Sequence, residues 1–286
     1  MPRYGQLLLP SANRVYSDAA VALSAAELAV FSDSVLGGAL SAAVPTEIGG
    51  VPCLEFAADA LSARQISFLA NVSSMYALFE LVDGLLRPVD LHRLDRYHDD
   101  LITIQKYQGK TNEQFTKLLL NVTLMASAFA GEMLDRKLAV LDPLCGAGTV
   151  LIERAQLGRY SLLIGGDHDP AALAAARENI GPRYKPIELH QWDAVALPLP
   201  DASVSKVVTN LPWGIRHGSH EENRRLYPRL IAEFKRVARK GGLIVMLTGE
   251  TRLMGDLMTR GRFRPEKIVH VTILGAPAAV YVSRVV

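Results

Sequence analysis

From Leu138 onward the chain alternates short apolar runs with helical stretches, and this alternation narrows the fold more than any other feature. The runs are LAVLDPL, SLLIGGD, IELHQWD, KVVTNLP and GLIVMLTG, and each of the first four ends in an acid, a proline or an amide. Strands that alternate with helices pair in parallel through crossovers. The expected architecture is therefore α/β, a parallel sheet with helices on both faces and ligands at the carboxyl edge of its strands. The last two runs, IVHVTILG and AVYVSRVV, are separated only by a tight Gly-Ala-Pro-Ala link. That link is too short for a crossover and predicts an antiparallel hairpin.

The 286-residue length allows one large or two modest domains. With 49% hydrophobic and 21% charged residues, disordered and collagenous classes are excluded. Two cysteines, Cys53 and Cys145, are too few for a disulfide framework or a structural zinc site. The apolar stretch from Leu118 to Gly131 contains Asn121, Thr123 and Ser127 and falls short of the roughly 20 residues that span a bilayer. The N-terminal MPRYGQLLLPSANR meets Pro10 and Arg14 too early for a secretory segment. A soluble, cytoplasmic chain without membrane contact is expected.

The first 105 residues read as a small α/β domain and residues 106–286 as the domain that carries the chemistry. Ser24-Ala-Ala-Glu27 and Ser62-Ala-Arg-Gln65 match the capping box of a helix start, in which hydroxyl and Glu or Gln satisfy unpaired backbone donors. After the second, Ile66, Leu69, Val72, Tyr76, Phe79 and Val82 recur at helical spacing. Gly49-Gly50-Val51-Pro52 predicts a turn into a strand over CLEFAAD. A third capping pattern, Thr111-Asn-Glu-Gln114, predicts a helix from about Asn112 to Leu134.

Net charge conceals an asymmetry. Lys206 to His270 holds 14 basic and 6 acidic residues, a balance of +8, while the remainder holds 17 basic and 23 acidic, a balance of −6. Arg224, Arg225, Arg229, Lys235, Arg236, Arg239 and Lys240 fall in one predicted helix. They form either a solvated face or the electrostatic footprint of a polyanion.

Four landmarks carry the chemistry. Asp142-Pro-Leu-Cys145-Gly146-Ala-Gly148-Thr149 joins a strand to a helix, where glycines allow a sharp turn and the helix start offers free amide donors. Leu151 stands where a dinucleotide fingerprint needs its third glycine, and no Walker Gly-Lys-Ser/Thr follows. Asp167, 19 residues after Gly148, ends the next strand, where an acid accepts from both hydroxyls of a ribose. Asp169 before Pro170 reads as a helix cap. Trp192-Asp193-Ala194 ends the third strand, suited to the exocyclic amine of an adenine. Each acid alone reads equally as a cap or surface charge; together, at successive strand ends, they favour a nucleoside site.

The fourth landmark is Thr209-Asn210-Leu211-Pro212-Trp213-Gly214. An asparagine at a strand end, with the main-chain carbonyl of Leu211, can accept both hydrogens of an exocyclic amino group. Pro212 fixes the turn, and Trp213 offers a flat surface for a nucleobase; the other reading is a turn with a packed tryptophan. His217 and His220 lack a matching Cys or acid pattern, so no metal site is expected. Cys145 lacks a partner base for thiol catalysis, and Cys53 reads as core.

These motifs, in this order, resemble the class I S-adenosylmethionine-dependent methyltransferases, and among them the THUMP-associated RNA guanine-N2 methyltransferases that modify tRNA. The resemblance covers about Thr111 to Val286 and implies a Rossmann-like fold, a mostly parallel seven-stranded sheet with a C-terminal antiparallel hairpin. It implies S-adenosyl-L-methionine as cofactor, held by Thr111, Gln114, Phe115, Asp142, Cys145, Gly146, Gly148, Thr149, Asp167, His168, Asp193, Ala194 and Asn210. It implies amino-methyl transfer by Asn210, Leu211, Pro212 and Trp213, with RNA, expected to be tRNA, as partner. Adenine-N6 methylation of DNA or RNA, and a silent cofactor- or RNA-binding subunit, are the alternatives. The first 110 residues are shorter than the family's ferredoxin-like plus THUMP pair, and no THUMP pattern is identifiable in them.

Overall fold

The computed structural model describes residues 1–9, 14–92, 113–126, 139–157, 160–182, 184, 186–214, 219–273 and 275–286, with backbone alone for 14–18 and 113–114. The expected domain boundary after residue 105 lies outside the described residues. Before it come β1 (Arg3–Leu8), α1 (Arg14–Val35), β2 (Val44–Ile48), β3 (Val51–Ala57), α2 (Ala63–Leu69), β4 (Met75–Val82) and β5 (Leu85–Val89). They form an antiparallel sheet in the order β2-β3-β1-β4-β5, with the β1-α1-β2 unit split by β3. Its hairpins turn on Gly49-Gly50 (φ 59° and 78°) and Asp83-Gly84 (φ 50° and 79°), the left-handed pairs that match strand twist.

Of the two capping boxes predicted in the first 105 residues, one forms and the other does not. Ser62 Oγ accepts the Gln65 amide at 3.3 Å, and Gln65 Oε1 accepts the Ser62 amide at 2.8 Å. Ser24 and Glu27 instead lie fully buried inside α1, which starts ten residues before Ser24. The apolar periodicity after Ser62 also misleads. The Asn71 side chain closes α2 by donating to the Ser67 carbonyl at 2.7 Å, and Tyr76 and Phe79 belong to β4, whose place is set by pairing with β1.

The second sheet holds β6 (Ala139–Asp142), β7 (Leu162–Asp167), β8 (Ile187–Gln191), β9 (Val204–Asn210), β10 (Ala238–Thr248), β11 (Lys267–Ile273) and β12 (Ala276–Arg284). Its order is β11-β12-β10-β9-β6-β7-β8. Strands β8, β7, β6, β9 and β10 run parallel, and β12 runs antiparallel to both β10 and β11, as the short connection requires. The helices are α3 (Glu113–Met125), α4 (Thr149–Gln156), α5 (Pro170–Ile180), α6 (His220–Val237) and α7 (Thr251–Thr259). Of the predicted helix from Asn112 to Leu134, residue 112 and residues 127–134 lie outside the described residues. No described helix is long and apolar enough to cross a membrane.

Side chains alternate between the sheet's two faces. Val140, Leu163, Val208, Val245 and Val280 enter one hydrophobic cluster with α3, α4 and α5; Leu141, Ile164, Val207, Met246 and Tyr281 enter another with α6 and α7. Each such aliphatic burial contributes about 1.5–3 kcal/mol. The first cluster continues without a break into the N-terminal sheet through Phe31, Phe56 and Phe68. At that junction Glu27 of α1, fully buried, accepts hydrogen bonds from Ser73 and from the Asn121 amide of α3 at 2.8 Å. Asp33 of α1 also pairs with Lys267 of β11 at 2.7 Å.

Burial pushes the Glu27 carboxyl from its ordinary 4.5 up to about 7, against the lowering effect of Ser73, Asn121 and Lys117. The folded chain thus holds this proton more tightly than the unfolded chain, so its contribution is full below pH 4.5 and fades as pH rises through about 7. Urea unfolding of Glu27→Gln against the parent should shift in the variant's favour by about 3 kcal/mol between pH 4.5 and 7. A pH-independent difference would contradict this reading.

Candidate active site

The chain runs from β6 outward to β7 and β8, then returns to the other side of β6 as β9. Crossovers diverge at that point and leave a crevice at the carboxyl ends of β6 and β9, which end in Asp142 and Asn210.

After β6, the glycine loop is held by its own backbone. The Cys145 amide donates to the Gly166 carbonyl at 2.9 Å and the Gly148 amide to the Cys145 carbonyl at 2.8 Å. Gly146 and Gly148 sit at φ 50° and 81°, and a Cβ at Gly146 would meet nothing within 4 Å among the described residues, so open space faces the loop there. Gly148 caps α4 without a side-chain hydrogen bond, and Thr149 opens the helix. Asp167, at the end of β7, accepts the Gly146 amide on Oδ2 and the Asp169 amide on Oδ1, both at 3.0 Å. It therefore ties the loop to the next strand. His168, exposed, lies 3.2 Å from the same carboxylate. Asp169 caps α5, accepting the Ala171 amide at 2.9 Å, as its place before Pro170 predicts.

Trp192, the first residue of the third strand-end motif, is a brace, a role that no local pattern indicates. Its indole N–H donates to the Pro143 carbonyl at 3.1 Å, its ring stacks on His190 at 5.3 Å, and its face covers Gly166. Three successive strand ends are thereby locked together. Asp193 is exposed and accepts the Val195 amide at 3.1 Å; Ala194 is buried.

Asp142 is buried, accepts the Leu144 amide at 3.3 Å, and is pushed by burial from 3.8 up to about 7. Burial, with Asp142 and Asp167 nearby, drives the Cys145 thiol far above its ordinary range, so it carries no thiolate for nucleophilic chemistry. Phe115 is buried in the cluster that also holds Cys145 and Val150. Thr111 and the Gln114 side chain lie outside the described residues, as does His217.

Across the crevice, the turn after β9 is pinned at every residue. The Leu211 amide donates to the Leu247 carbonyl at 2.9 Å, and the Trp213 indole N–H donates to Asn210 Oδ1 at 2.9 Å. The Trp213 ring lies over Gly249, where a Cβ would come within 2.7 Å of it. Gly214, at φ 69°, passes so close to α6 that a Cβ would sit 2.8 Å from the His220 amide nitrogen.

A strand-end glycine loop opposite an asparagine-proline-aromatic turn is an arrangement that comparison with known proteins can decide. The profile of the family described as "UPF0020: RMKL-like, methyltransferase domain" matches residues 120–276, more than half of the chain. The chain belongs to this methyltransferase domain family. It is 36% identical over 161 residues to the tRNA (guanine(6)-N(2))-methyltransferase THUMP3 of Mus musculus, a match covering 51% of this chain and 32% of that one. It is 37% identical over 114 residues to the U6 snRNA (guanine-N(2))-methyltransferase THUMPD2 of Bos taurus, covering 39% and 22%. The matched part thus spans about a third or less of these relatives. Among solved structures, TrmN from Thermus thermophilus superposes over 100% of both chains with a TM-score of 0.52 at 16% identity, a likeness of fold.

The methyltransferase domain also shows which basic residues are already engaged. Arg236 pairs with Glu233 and Asp201, each at 2.6 Å, and Arg284 with Glu266 at 2.8 Å. Helix α6 ends at Val237, so Arg239 and Lys240 open β10 instead of continuing the predicted helix. Arg224 and Arg229 are exposed on α6 with no acidic partner among the described residues, and Arg225 reaches Glu221 only at 3.9 Å. His220 is the first residue of α6 and lies 2.6 Å from Glu250; no described cluster of His, Cys, Asp and Glu could hold a metal ion.

Gly166→Ala drives a Cβ to within 1.9 Å of the Trp192 indole, too close for any side chain to relax around. Thermal unfolding should register a loss of about 2 to 3 kcal/mol, accompanied by a change in tryptophan emission. An unaltered midpoint would mean that Trp192 does not brace the strand ends.

Proposed function

We propose that this protein transfers a methyl group from S-adenosylmethionine to N2 of guanosine in RNA, in the cytoplasm, with tRNA as the substrate. The observation that carries the reading is the pinned Asn210-Leu211-Pro212-Trp213 turn, which stands across the β6/β9 crevice from the glycine loop. The mouse and cattle relatives, by their names, methylate guanine N2 in a tRNA and in an snRNA, which favours that atom over adenine N6.

The open space at Gly146 and the uncapped start of α4 fit the methionine part of S-adenosylmethionine, and the carboxylates of Asp167 and Asp193 fit its ribose and adenine. When bound, the cofactor supplies its methyl group on a positively charged sulfur. The chain's part is positioning. An exocyclic amine is a poor nucleophile because its lone pair is delocalised into the ring. Trp213 donates to Asn210 Oδ1; an amide oxygen accepts two hydrogen bonds, so in this reading Asn210 Oδ1 takes one amino N–H and the Leu211 carbonyl the second. Held at both hydrogens, the nitrogen pyramidalises, and the two oxygens stabilise the positive charge that develops on it until one of its protons passes to solvent and leaves the neutral methylamino group. Trp213 stacks against the base, an interaction of about 1–3 kcal/mol. The base must first leave its stack or lie in a single strand. Arg224, Arg225 and Arg229 engage the RNA backbone.

Nucleoside mass spectrometry after incubation with synthetic RNA and DNA is the test. N2-methylguanosine in RNA is expected; N6-methyladenine would transfer the assignment to the rival base, and cofactor binding without any product would favour a silent subunit. Asn210→Ala should lower kcat about 100-fold while leaving cofactor affinity nearly intact. Asp167→Ala should weaken cofactor binding about tenfold by calorimetry. Replacing Arg224, Arg225 and Arg229 by alanine should reduce RNA affinity and flatten its logarithmic salt slope by roughly 0.7 to 0.9 for each phosphate left without its arginine. An unchanged slope would return these arginines to a solvated face.

A further inference from the structure

Helix α6 turns two polar side chains inward, one helical turn apart, onto a single backbone atom of the candidate catalytic turn. Asn223 Nδ2 donates to the Pro212 carbonyl at 3.0 Å, and the Tyr227 hydroxyl donates to the same oxygen at 2.7 Å. Both side chains are buried. Two donors saturate the two lone pairs of a carbonyl oxygen, so that peptide has no further partner to exchange with.

The donors are themselves fixed. The second Asn223 N–H donates to Glu250 Oε1 at 2.8 Å, where His220 also binds at 2.6 Å. The Pro212 oxygen can only accept, so the Tyr227 hydroxyl must donate to it and accept from the Thr248 hydroxyl at 2.6 Å. The Thr248 oxygen in turn accepts the Glu250 amide at 2.9 Å. A one-way chain therefore runs from the Glu250 amide through Thr248 and Tyr227 to Pro212. It joins the end of β10, the first two turns of α6 and the turn after β9.

The consequence for the turn follows from its covalent chemistry. Proline fixes φ at Pro212, and the peptides on either side are planar, so ψ is the one soft backbone angle that Pro212 retains. The doubly bound carbonyl removes that freedom. Upstream, Leu211 is anchored to Leu247; downstream, Trp213 lies on Gly249 and gives its N–H to Asn210. The orientation of Asn210 thus depends on the placement of Trp213, which depends on ψ at Pro212.

We infer that Asn223 and Tyr227 are positioning residues for methyl transfer, clamping the Pro212 carbonyl so that Asn210 Oδ1 and the Leu211 carbonyl meet the amino group in line. The inference rests on the methyl-transfer reading for its kinetic consequence, whereas the clamp itself acts on Trp213 whatever the substrate. A buried asparagine whose two N–H groups reach a catalytic-turn carbonyl and a second element is poorly explained by core packing, which an apolar side chain serves better.

Two measurements on the full chain test it. The chain holds two tryptophans, Trp192 and Trp213, so a spectrum of protein labelled with 15N-tryptophan shows two indole N–H signals. In Tyr227→Phe and Asn223→Leu the Trp213 signal should shift and exchange faster with solvent, while that of Trp192 holds. An unmoved Trp213 signal overturns the clamp, irrespective of any enzymatic result. In the RNA methylation assay both variants should lose kcat about tenfold to a hundredfold, with KM for RNA and cofactor affinity retained. Phe263→Leu, which trims the same hydrophobic cluster without touching Pro212, should lower the melting temperature yet retain kcat. Equal losses of kcat in Phe263→Leu would reduce Asn223 and Tyr227 to general stabilisers and overturn their positioning role. Absence of transfer by the parent protein would defeat the methyl-transfer reading alone, since the indole signals still report on the clamp.

Discussion

The pairing of β9 with β6, in which Leu141 stands beside Val207, is the contact on which the rest of the site depends. Through it a strand late in the sequence lies next to the first strand of the sheet and not beside its immediate predecessor, β8. Parallel strands with crossovers on opposite faces cannot cover their shared carboxyl edge, so a crevice opens there. The glycine loop and the Asn210 turn face one another because these two strands are hydrogen-bonded neighbours.

Rigidity on each side of that crevice comes from a second layer of polar groups held under the backbone. On the glycine-loop side, Asp167 and Trp192 tie the turn after β6 to the ends of β7 and β8. On the other side, α6 reaches up to the turn after β9. Buried hydrogen bonds of this kind add little net stability, but they are costly to leave unmade, which selects one geometry over its neighbours. The N-terminal sheet is joined in the same manner, through Glu27 and Asn121 inside a continuous apolar cluster.

Much of this was legible because local physics writes it into short segments. Strand-helix alternation, the short link before the last strand, the Ser62 capping box, the Asp169 cap and the four strand-end motifs all concern residues within a few positions of each other. The misreadings share one cause. Ser24-Ala-Ala-Glu27 has the same capping pattern as Ser62-Ala-Arg-Gln65, yet Glu27 bonds Ser73 and Asn121, 46 and 94 residues away. The periodicity through Tyr76 and Phe79 fits a helix locally and becomes a strand by pairing with β1. Asn223 carried a faint signal, a polar residue on the helix face otherwise formed by Tyr227, Leu230, Ile231 and Phe234, but nothing nearby in sequence names its acceptor.

The sequence alone determined that the second part of this protein is an α/β sheet ending in a hairpin, and which residue types stand at the ends of its strands. Those follow from hydrophobic period, connection length and turn chemistry, all of which act over a few residues. Tertiary structure decided which strand ends meet, which arginines are neutralised by acids and which stay available, and that the Pro212 carbonyl is held from α6. Such contacts are made between segments distant along the chain, and their energies depend on burial and geometry that exist only after the sheet has closed its order.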